Sequence, residues 1–279
     1  ERLFLLVSFK EISVAINLAN IPAIWGGSPQ QKDPAGIYPG TSTPGNTASL
    51  ASILREFSPF PPYSLVIGQC MDGLPFMLGL DNPRSGAILV VGDNERAKGQ
   101  VLNTMGISAC RLNYPEEVSW SVISGSPQKY AGLVNSPHCQ AVLNPHDRGA
   151  GEMIVELASA VEQRRFGRER GGTHIMMIDD FRSFAPMLGD YSVYLNLKTL
   201  VSKGPGCGIW PLISARPDDA YTEHGNLLRT FGTYVFEKNA RAGESVHPNK
   251  GEQMVSPNFE PNFNVIVGGR LIPISSLSV

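Results

Sequence analysis

The stretch AILVVGDNERAKGQVLNTM, residues 87–105, decides the fold class of this chain. It opens with an uninterrupted apolar run over 87–92, which is typical of a strand buried on both faces of a sheet. Apolar residues at helical spacing then predict a helix over 101–108. A buried strand that leads at once into a helix is the unit from which parallel sheets are built.

The rest of the chain repeats this alternation. We predict further strands over 64–67, 75–80, 118–124, 140–143, 174–179, 208–214, 233–237 and 264–267, and helices over 47–57, 151–170 and 194–202. Pro211 makes the strand over 208–214 an irregular one. The pattern predicts an α/β fold, with a mainly parallel sheet that carries helices on both faces. Ligands of such sheets bind at the carboxyl ends of the strands.

The first 63 residues differ in character from the rest of the chain. Residues 1–20 could form a strand or a short helix, and residues 21–46 are rich in Pro, Gly, Ser and Thr, as in a linker or surface loop. Lys10 ends the first apolar run far short of a membrane span. We therefore predict an N-terminal extension over 1–63 and one main domain over 64–279.

Charge and cysteine content restrict the function classes. The formal net charge is -2, whereas a free-standing duplex binder usually carries a basic excess, so any DNA contact would be a local patch. The four cysteines have neither zinc nor disulfide spacing and are expected to be reduced thiols. We expect a cytoplasmic domain, and this leaves open a membrane anchor upstream of Glu1.

The segment after the first buried strand is a candidate nucleotide site. Loops of the pattern GxxxxGK[ST] wrap backbone N–H groups around phosphates, with the Lys on the terminal phosphates and the hydroxyl on Mg²⁺. Gly92 and Lys98 fit that spacing, but Ala97 replaces the second glycine and Gly99 the hydroxyl residue. The candidate residues are Gly92, Asp93, Asn94, Glu95, Arg96, Ala97, Lys98, Gly99 and Gln100. Taken alone, an ordinary strand-to-helix loop is the simpler interpretation.

Two acids end the stretch HIMMIDD, residues 174–180, directly after its apolar residues. In the Walker B arrangement Asp179 would hold Mg²⁺ and Asp180 would orient or deprotonate the attacking water, and these are the candidate catalytic residues. An acidic pair at this position is equally typical of a helix N-cap. The order of the segments, a strand, a loop with Lys98 and a helix before this strand and its acids, favours the Walker B interpretation.

Two further segments contain candidate residues. The strand that ends in Ala215 and Arg216 has the position of a nucleotide sensor, although Ala215 carries no polar group and Arg216 could equally pair with Asp218 or Asp219 in a turn. Arginines cluster near the end of the helix over 151–170, where positive charge favours the helix dipole. Arg164 and Arg165 of this cluster are the alternative candidates for a subunit-interface or DNA contact; Arg168 and Arg170 complete it.

Taken together, the ordered segments resemble the motor domain of the FtsK/SpoIIIE family, a relative of HerA-type and type VII secretion ATPases. The resemblance covers about residues 64–279 and rests on LVIGQCMDGLPFMLGL, ELASAVEQRRFGRER, IMMIDDF, GIWPLISARP and NLLRTFGTYVFEKN. It implies a RecA-like P-loop fold, binding of ATP and Mg²⁺, and assembly into homo- or hetero-oligomers such as a hexameric ring.

The sequence departs from the family pattern at Ala97, Gly99, Asp180 and Ala215, where family motors have Gly, Ser/Thr, Glu and Gln. Lys203 is the only base in the stretch where the family tends to carry an Arg that serves the neighbouring subunit. Three hypotheses follow: a pseudo-ATPase that keeps the fold and the assembly, an active DNA translocase, and a partner-binding module of the secretion type. The acidic balance favours a protein partner slightly over DNA.

Overall fold

A ten-stranded sheet forms the centre of the chain in our computed structural model, which describes residues 4–9, 12–17, 48–167, 171–238 and 261–279. Its strands are β3 (Ser64–Cys70), β4 (Pro75–Gly79), β5 (Ile88–Val91), β6 (Val118–Ile123), β7 (Cys139–Leu143), β8 (Thr173–Ile178), β9 (Ile209–Ala215), β10 (Thr233–Glu237), β11 (Phe263–Val267) and β12 (Arg270–Ser275). A separate antiparallel pair is formed by β1 (Phe4–Phe9) and β2 (Ile12–Asn17). The predicted linker over 21–46 lies outside the described residues.

The strand order is β4-β3-β12-β11-β10-β5-β9-β8-β6-β7. The six strands from β10 to β7 in this order are parallel to one another, and β4, β3, β12, β11 and β10 pair antiparallel in that order. The predicted mainly parallel sheet is therefore confirmed. The prediction that β9 is irregular is wrong, because Pro211 pairs in register with Met176 of β8. The sheet accommodates this proline because the pairing of β9 with β5 begins only at Leu212.

Helices cover both faces of the sheet, as predicted. They are α1 (Leu50–Glu56), α2 (Glu95–Leu112), α3 (Ala131–Val134), α4 (Arg148–Arg165), α5 (Phe181–Phe184) and α6 (Tyr191–Lys203). Successive residues of a strand point to opposite faces. Leu89 and Val91 thus join the core beneath α4 and α6, whereas Ile88 and Val90 join the core beneath α2. α1 lies before the predicted boundary at residue 64 and packs against β3 and β4 through Leu50.

The carboxyl ends of β5, β8, β9 and β10 meet at one edge of the sheet, because these strands are parallel neighbours. This edge, which we call the site edge, carries Gly92, Asp179, Arg216 and Glu237. The opposite edge carries the beginnings of the same strands. None of the helices in the described ranges is long and apolar enough to cross a membrane.

Candidate nucleotide site

The loop after β5 is short, because α2 begins at Glu95 rather than near residue 101 as predicted. Asn94 is the N-cap of this helix, and its Oδ1 accepts hydrogen bonds from the backbone N–H groups of Arg96 and Ala97 at 3.0 and 3.1 Å. The N–H group of Lys98 donates to the Asn94 carbonyl at 3.0 Å. Capping of this kind satisfies the free N–H groups of a first helical turn. Lys98 therefore lies inside the helix and not at its entrance.

The remaining N–H groups of this loop face a carboxylate. Asp93 and Asn94 both donate their backbone N–H to Oε2 of Glu237, at 3.0 Å each. The Gly92 N–H donates to the carbonyl of Ala215 at 3.2 Å. Successive backbone N–H groups that point at one anion form a nest of the kind that binds phosphates. In this chain the nest binds the side chain at the end of β10.

Lys98 points into the end of the sheet and is 1% exposed. Its Nζ donates to Glu95 Oε1 at 3.1 Å and lies 3.4 Å from the carbonyl oxygen of Ala215. The same Glu95 oxygen accepts from Nε of Arg216 at 3.1 Å. One carboxylate thus neutralises both cations that the sequence assigned to phosphate binding and sensing.

Asp179 is 8% exposed at the end of β8. Its Oδ2 accepts from the Ser124 hydroxyl at 2.9 Å and its Oδ1 accepts from the Tyr130 hydroxyl. Burial, and next the negative charge of Asp179, raise the pKa of Tyr130 well above its usual value, so the phenol is a protonated donor. Both carboxylate oxygens of Asp179 are therefore bonded inside the protein.

Asp180 lies beyond the strand and begins α5. Its side chain is the N-cap of that helix and accepts from the backbone N–H of Arg182 at 3.2 Å and from the Ser183 hydroxyl. This is the helix-cap geometry that the sequence left open for the acidic pair. Within the described residues, Asp180 has a structural role that requires no nucleotide.

Arg216 does not pair with Asp218 or Asp219 through its side chain, so that expectation is wrong. Its guanidinium bonds Glu95, whereas Asp219 accepts only its backbone N–H, at 2.8 Å. Asp219 is fully buried and its charge is met by Arg182, with a 2.8 Å ion pair. The turn after β9 is therefore tied both to α2 and to α5.

The other predicted loop residues have different surroundings. The side chains of Asp93 and Arg96 are exposed, and Gln100 donates its amide to the Leu277 carbonyl at 2.8 Å. A Cβ atom added at Gly99 would lie 3.9 Å from the Tyr130 hydroxyl. Tyr130, Ser124 and Glu237 were not predicted as site residues, because each carries no motif of its own in the sequence.

The two candidate arginines lie at the opposite edge of the sheet. Nη1 of Arg164 donates to the carbonyls of Gly172 and Cys207, at 3.0 Å each, and so joins the end of α4 to the starts of β8 and β9. Arg165 pairs with Glu162 at 3.1 Å. The structure thus does not bring these arginines together with the site edge. Arg168 and Arg170 lie outside the described residues.

Metal-binding clusters and disulfides are absent where the structure describes the chain. No group of three His, Cys, Asp or Glu side chains there could hold a metal ion. The four cysteines are free thiols. Burial raises the pKa of Cys70 to about 12, so this thiol is a poor nucleophile.

No protein-family model and no curated protein sequence matches the chain. Solved structures do resemble it. They include the cytoplasmic domain of the Thermomonospora curvata type VII secretion ATPase EccC (TM-score 0.64, 15% identity, 84% of this chain and 32% of that chain). EccC ATPases 2 and 3 from the same organism, in complex with a signal sequence peptide, are also similar (0.58, 16%, 78% and 41%).

The monomer form of the pCW3 conjugation coupling protein TcpA with ATPγS is a further similar structure (TM-score 0.57, 15% identity, 80% of this chain and 68% of that chain). The chain spans well under two thirds of both EccC structures. Identities this low establish the fold alone. The ten-stranded, mostly parallel sheet and its helices match these structures. The chain therefore has the RecA-like fold of FtsK/SpoIIIE-type P-loop ATPase domains.

Proposed function

We propose that this chain is a pseudo-ATPase, an FtsK/SpoIIIE-type module that keeps the ATPase fold for assembly or partner binding and does not turn over ATP. One observation carries the proposal. Of the seven backbone N–H groups in residues 92–98, six already donate to atoms of the protein itself. A working phosphate loop needs those groups for the nucleotide.

The length of the loop supports the same conclusion. In the GxxxxGK pattern, the residues between the first Gly and the Lys wrap around the phosphates. Here Asn94 caps α2, so residues 95–98 are wound into the helix and only residues 92–94 remain as a loop. Phosphate binding would require the first turn of α2 to unwind and Glu237 to leave its two N–H donors.

The charges at the site also oppose a nucleotide. Lys98 and Arg216 both bond to Glu95, and the nest bonds to Glu237. A phosphate would have to displace two carboxylates and would meet their negative charge at close range. These rearrangements would also weaken stabilisation of the transition state, because phosphoryl transfer depends on the positions and charges of the surrounding groups.

The cofactors that the fold implies, ATP and Mg²⁺, do not fit the residues present. Lys98 would hold the terminal phosphates and Asp179 the metal, but Lys98 is already paired and Asp179 has both oxygens bonded. Gly99 supplies no hydroxyl for a metal. The residues present therefore support no hydrolytic step at this site.

A protein partner suits this module better than DNA does. The formal net charge is -2, and the candidate arginines Arg164 and Arg165 are bonded to carbonyls and to Glu162. EccC ATPases 2 and 3, which share the fold, hold a signal sequence peptide. The module would act in the cytoplasm, within an oligomer of like or unlike ATPase domains.

The test is phosphate release from ATP by the purified chain, with Mg²⁺ and with or without duplex DNA. The proposal expects no release above that of a Lys98→Ala variant, whose folded state is checked by circular dichroism. Mg²⁺-dependent turnover that is lost in Lys98→Ala would overturn the proposal. Turnover that duplex DNA also stimulates would identify the active translocase instead.

A further inference from the structure

Tyr130 is fully buried, and its hydroxyl lies near both the end of β8 and the helix α2. It follows β6 in a short 3-10 helix, Pro127–Tyr130, that leads directly into α3. Its hydroxyl donates to Asp179 at the end of β8, and the neighbouring Ser124 hydroxyl donates to the second carboxylate oxygen. The phenol also lies against α2, since a Cβ atom at Gly99 would be 3.9 Å from its oxygen.

The segment around Tyr130, residues 129–136, packs against one face of α2. This face consists of Gly99, Asn103, Gly106 and Cys110, which lie together on a helix surface at spacings of four, three and four. Asn103 donates to the Lys129 carbonyl at 3.0 Å, Cys110 lies 3.6 Å from the Ser136 hydroxyl, and a Cβ at Gly106 would come within 2.9 Å of Leu133. Gly99 therefore belongs to a packing surface.

This arrangement accounts for the missing hydroxyl of the phosphate loop. In P-loop NTPases the loop Ser/Thr and the Walker B Asp hold Mg²⁺ between them. In this chain the corresponding residues are Gly99 and Asp179; the Tyr130 hydroxyl donates to Asp179 and would lie 3.9 Å from a Cβ atom at Gly99. The residues present do not fit the metal.

We infer that Tyr130 replaces the metal: its hydroxyl links Asp179 to the Gly99 face of α2 and makes the site edge a metal-free structural clasp. The clasp consists of Gly99, Ser124, Tyr130 and Asp179. It rests on the proposed function only in so far as a metal-free site cannot support hydrolysis. Asp179 then serves as a buried hydrogen-bond acceptor, and its loss is a loss of stability.

The test uses urea unfolding of the intact chain without nucleotide. Tyr130→Phe keeps the ring and removes the donor, so we expect a clearly lower unfolding midpoint, because a buried carboxylate oxygen loses its partner. Tyr114→Phe, at a tyrosine that is 72% exposed, is the matched control and should leave the midpoint unchanged. Equal midpoints for the two variants would overturn the inference.

A double-mutant cycle separates the clasp from general damage to the core. If the Tyr130–Asp179 bond carries the effect, the double variant Tyr130→Phe/Asp179→Ala should lose much less stability than the sum of the two single losses, because Ala removes the acceptor and Phe the donor of the same bond. Strict additivity would contradict a direct link. Because no ATP is present, the cycle can fail while the pseudo-ATPase proposal stands, and ATP turnover can refute that proposal independently.

The wild-type chain supplies a second readout that needs no variant to fold. We expect that Mn²⁺ alone does not bind at millimolar concentration, as measured by electron paramagnetic resonance of the free ion. We also expect that neither Mg²⁺ nor EDTA shifts the melting temperature. Stoichiometric Mn²⁺ binding that Asp179→Asn abolishes would show a metal site and overturn the clasp.

Discussion

Replacing Glu95 with Gln tests whether the cations of the site edge are neutralised from within the protein. Glu95 Oε1 is bonded to Lys98, which is 1% exposed, and to Arg216. Removing one partner of a fully buried ion pair costs about 3–5 kcal/mol, because the other charge stays buried and uncompensated. The Glu95 side chain is itself 41% exposed, so water screens part of this effect. We therefore expect Glu95→Gln to cost about 2 kcal/mol of unfolding free energy.

The assay is urea unfolding at neutral pH, followed by tryptophan fluorescence and circular dichroism. The matched control is Glu152→Gln on α4, because Glu152 pairs with Arg148 and the two side chains are 57% and 92% exposed. Exposed pairs of this kind contribute about 0.5 kcal/mol. A Glu95→Gln loss no larger than the Glu152→Gln loss would refute the idea that Glu95 holds a buried cation.

Two further predictions concern residues away from Glu95. Burial, and next the charge of Arg164, lower the pKa of His174 to about 4, so the unfolded chain binds the proton first as the pH falls below about 6.5. The contribution of His174 to the free energy of unfolding should be complete above that pH and should fall by about 3 kcal/mol by pH 4. His174→Gln should therefore make stability depend less on pH in this range, whereas the control His146→Gln, at an exposed histidine, should not. Equal slopes in the acid-unfolding curves of the two variants would contradict this prediction. Gly68→Ala should clearly lower the melting temperature, because the new Cβ atom would lie 2.6 Å from the Ser275 carbonyl oxygen. Gly125→Ala, whose Cβ atom would have no neighbour within 4 Å, should leave the melting temperature unchanged. Equal melting temperatures for the two variants would contradict the close approach at Gly68.

Most of the fold could be predicted because its central strands are continuous apolar runs. The strands β5 and β8 are buried along their whole length, and short apolar runs such as ILVV and IMMI are typical of strands buried on both faces of a sheet. β12 was not predicted. Its Arg270–Ser275 segment is half-exposed along most of its length and contains Pro273, so it carries neither a continuous run nor a clean alternation.

The site could be predicted only as far as the chain order goes. Parallel topology brings Lys98 and Asp179 to one edge of the sheet, and the spacing of the motifs indicated that much. Glu237 is separated by 144 residues from the Asp93 N–H that it accepts, and no local pattern links such distant residues. One local signal was available: Asn94 before Glu95 is a good helix N-cap, and it would have placed the start of α2 before Lys98.

Energetically, the site edge is held together by interactions that a nucleotide would have to break. The nest bonds Glu237, Glu95 bridges two cations, and Tyr130 and Ser124 satisfy Asp179. Buried polar groups are costly when they lose their partners, so a fully bonded site resists opening. This bonding stabilises the site edge without a bound nucleotide.

Binding of a fluorescent ATP analogue in the presence of Mg²⁺, compared between the wild-type chain and Lys98→Ala, tests the central claim most directly. The self-occupied site predicts no saturable binding to either protein at millimolar nucleotide. Micromolar binding to the wild-type chain that disappears in Lys98→Ala would show that the loop still cradles phosphates and would contradict the account.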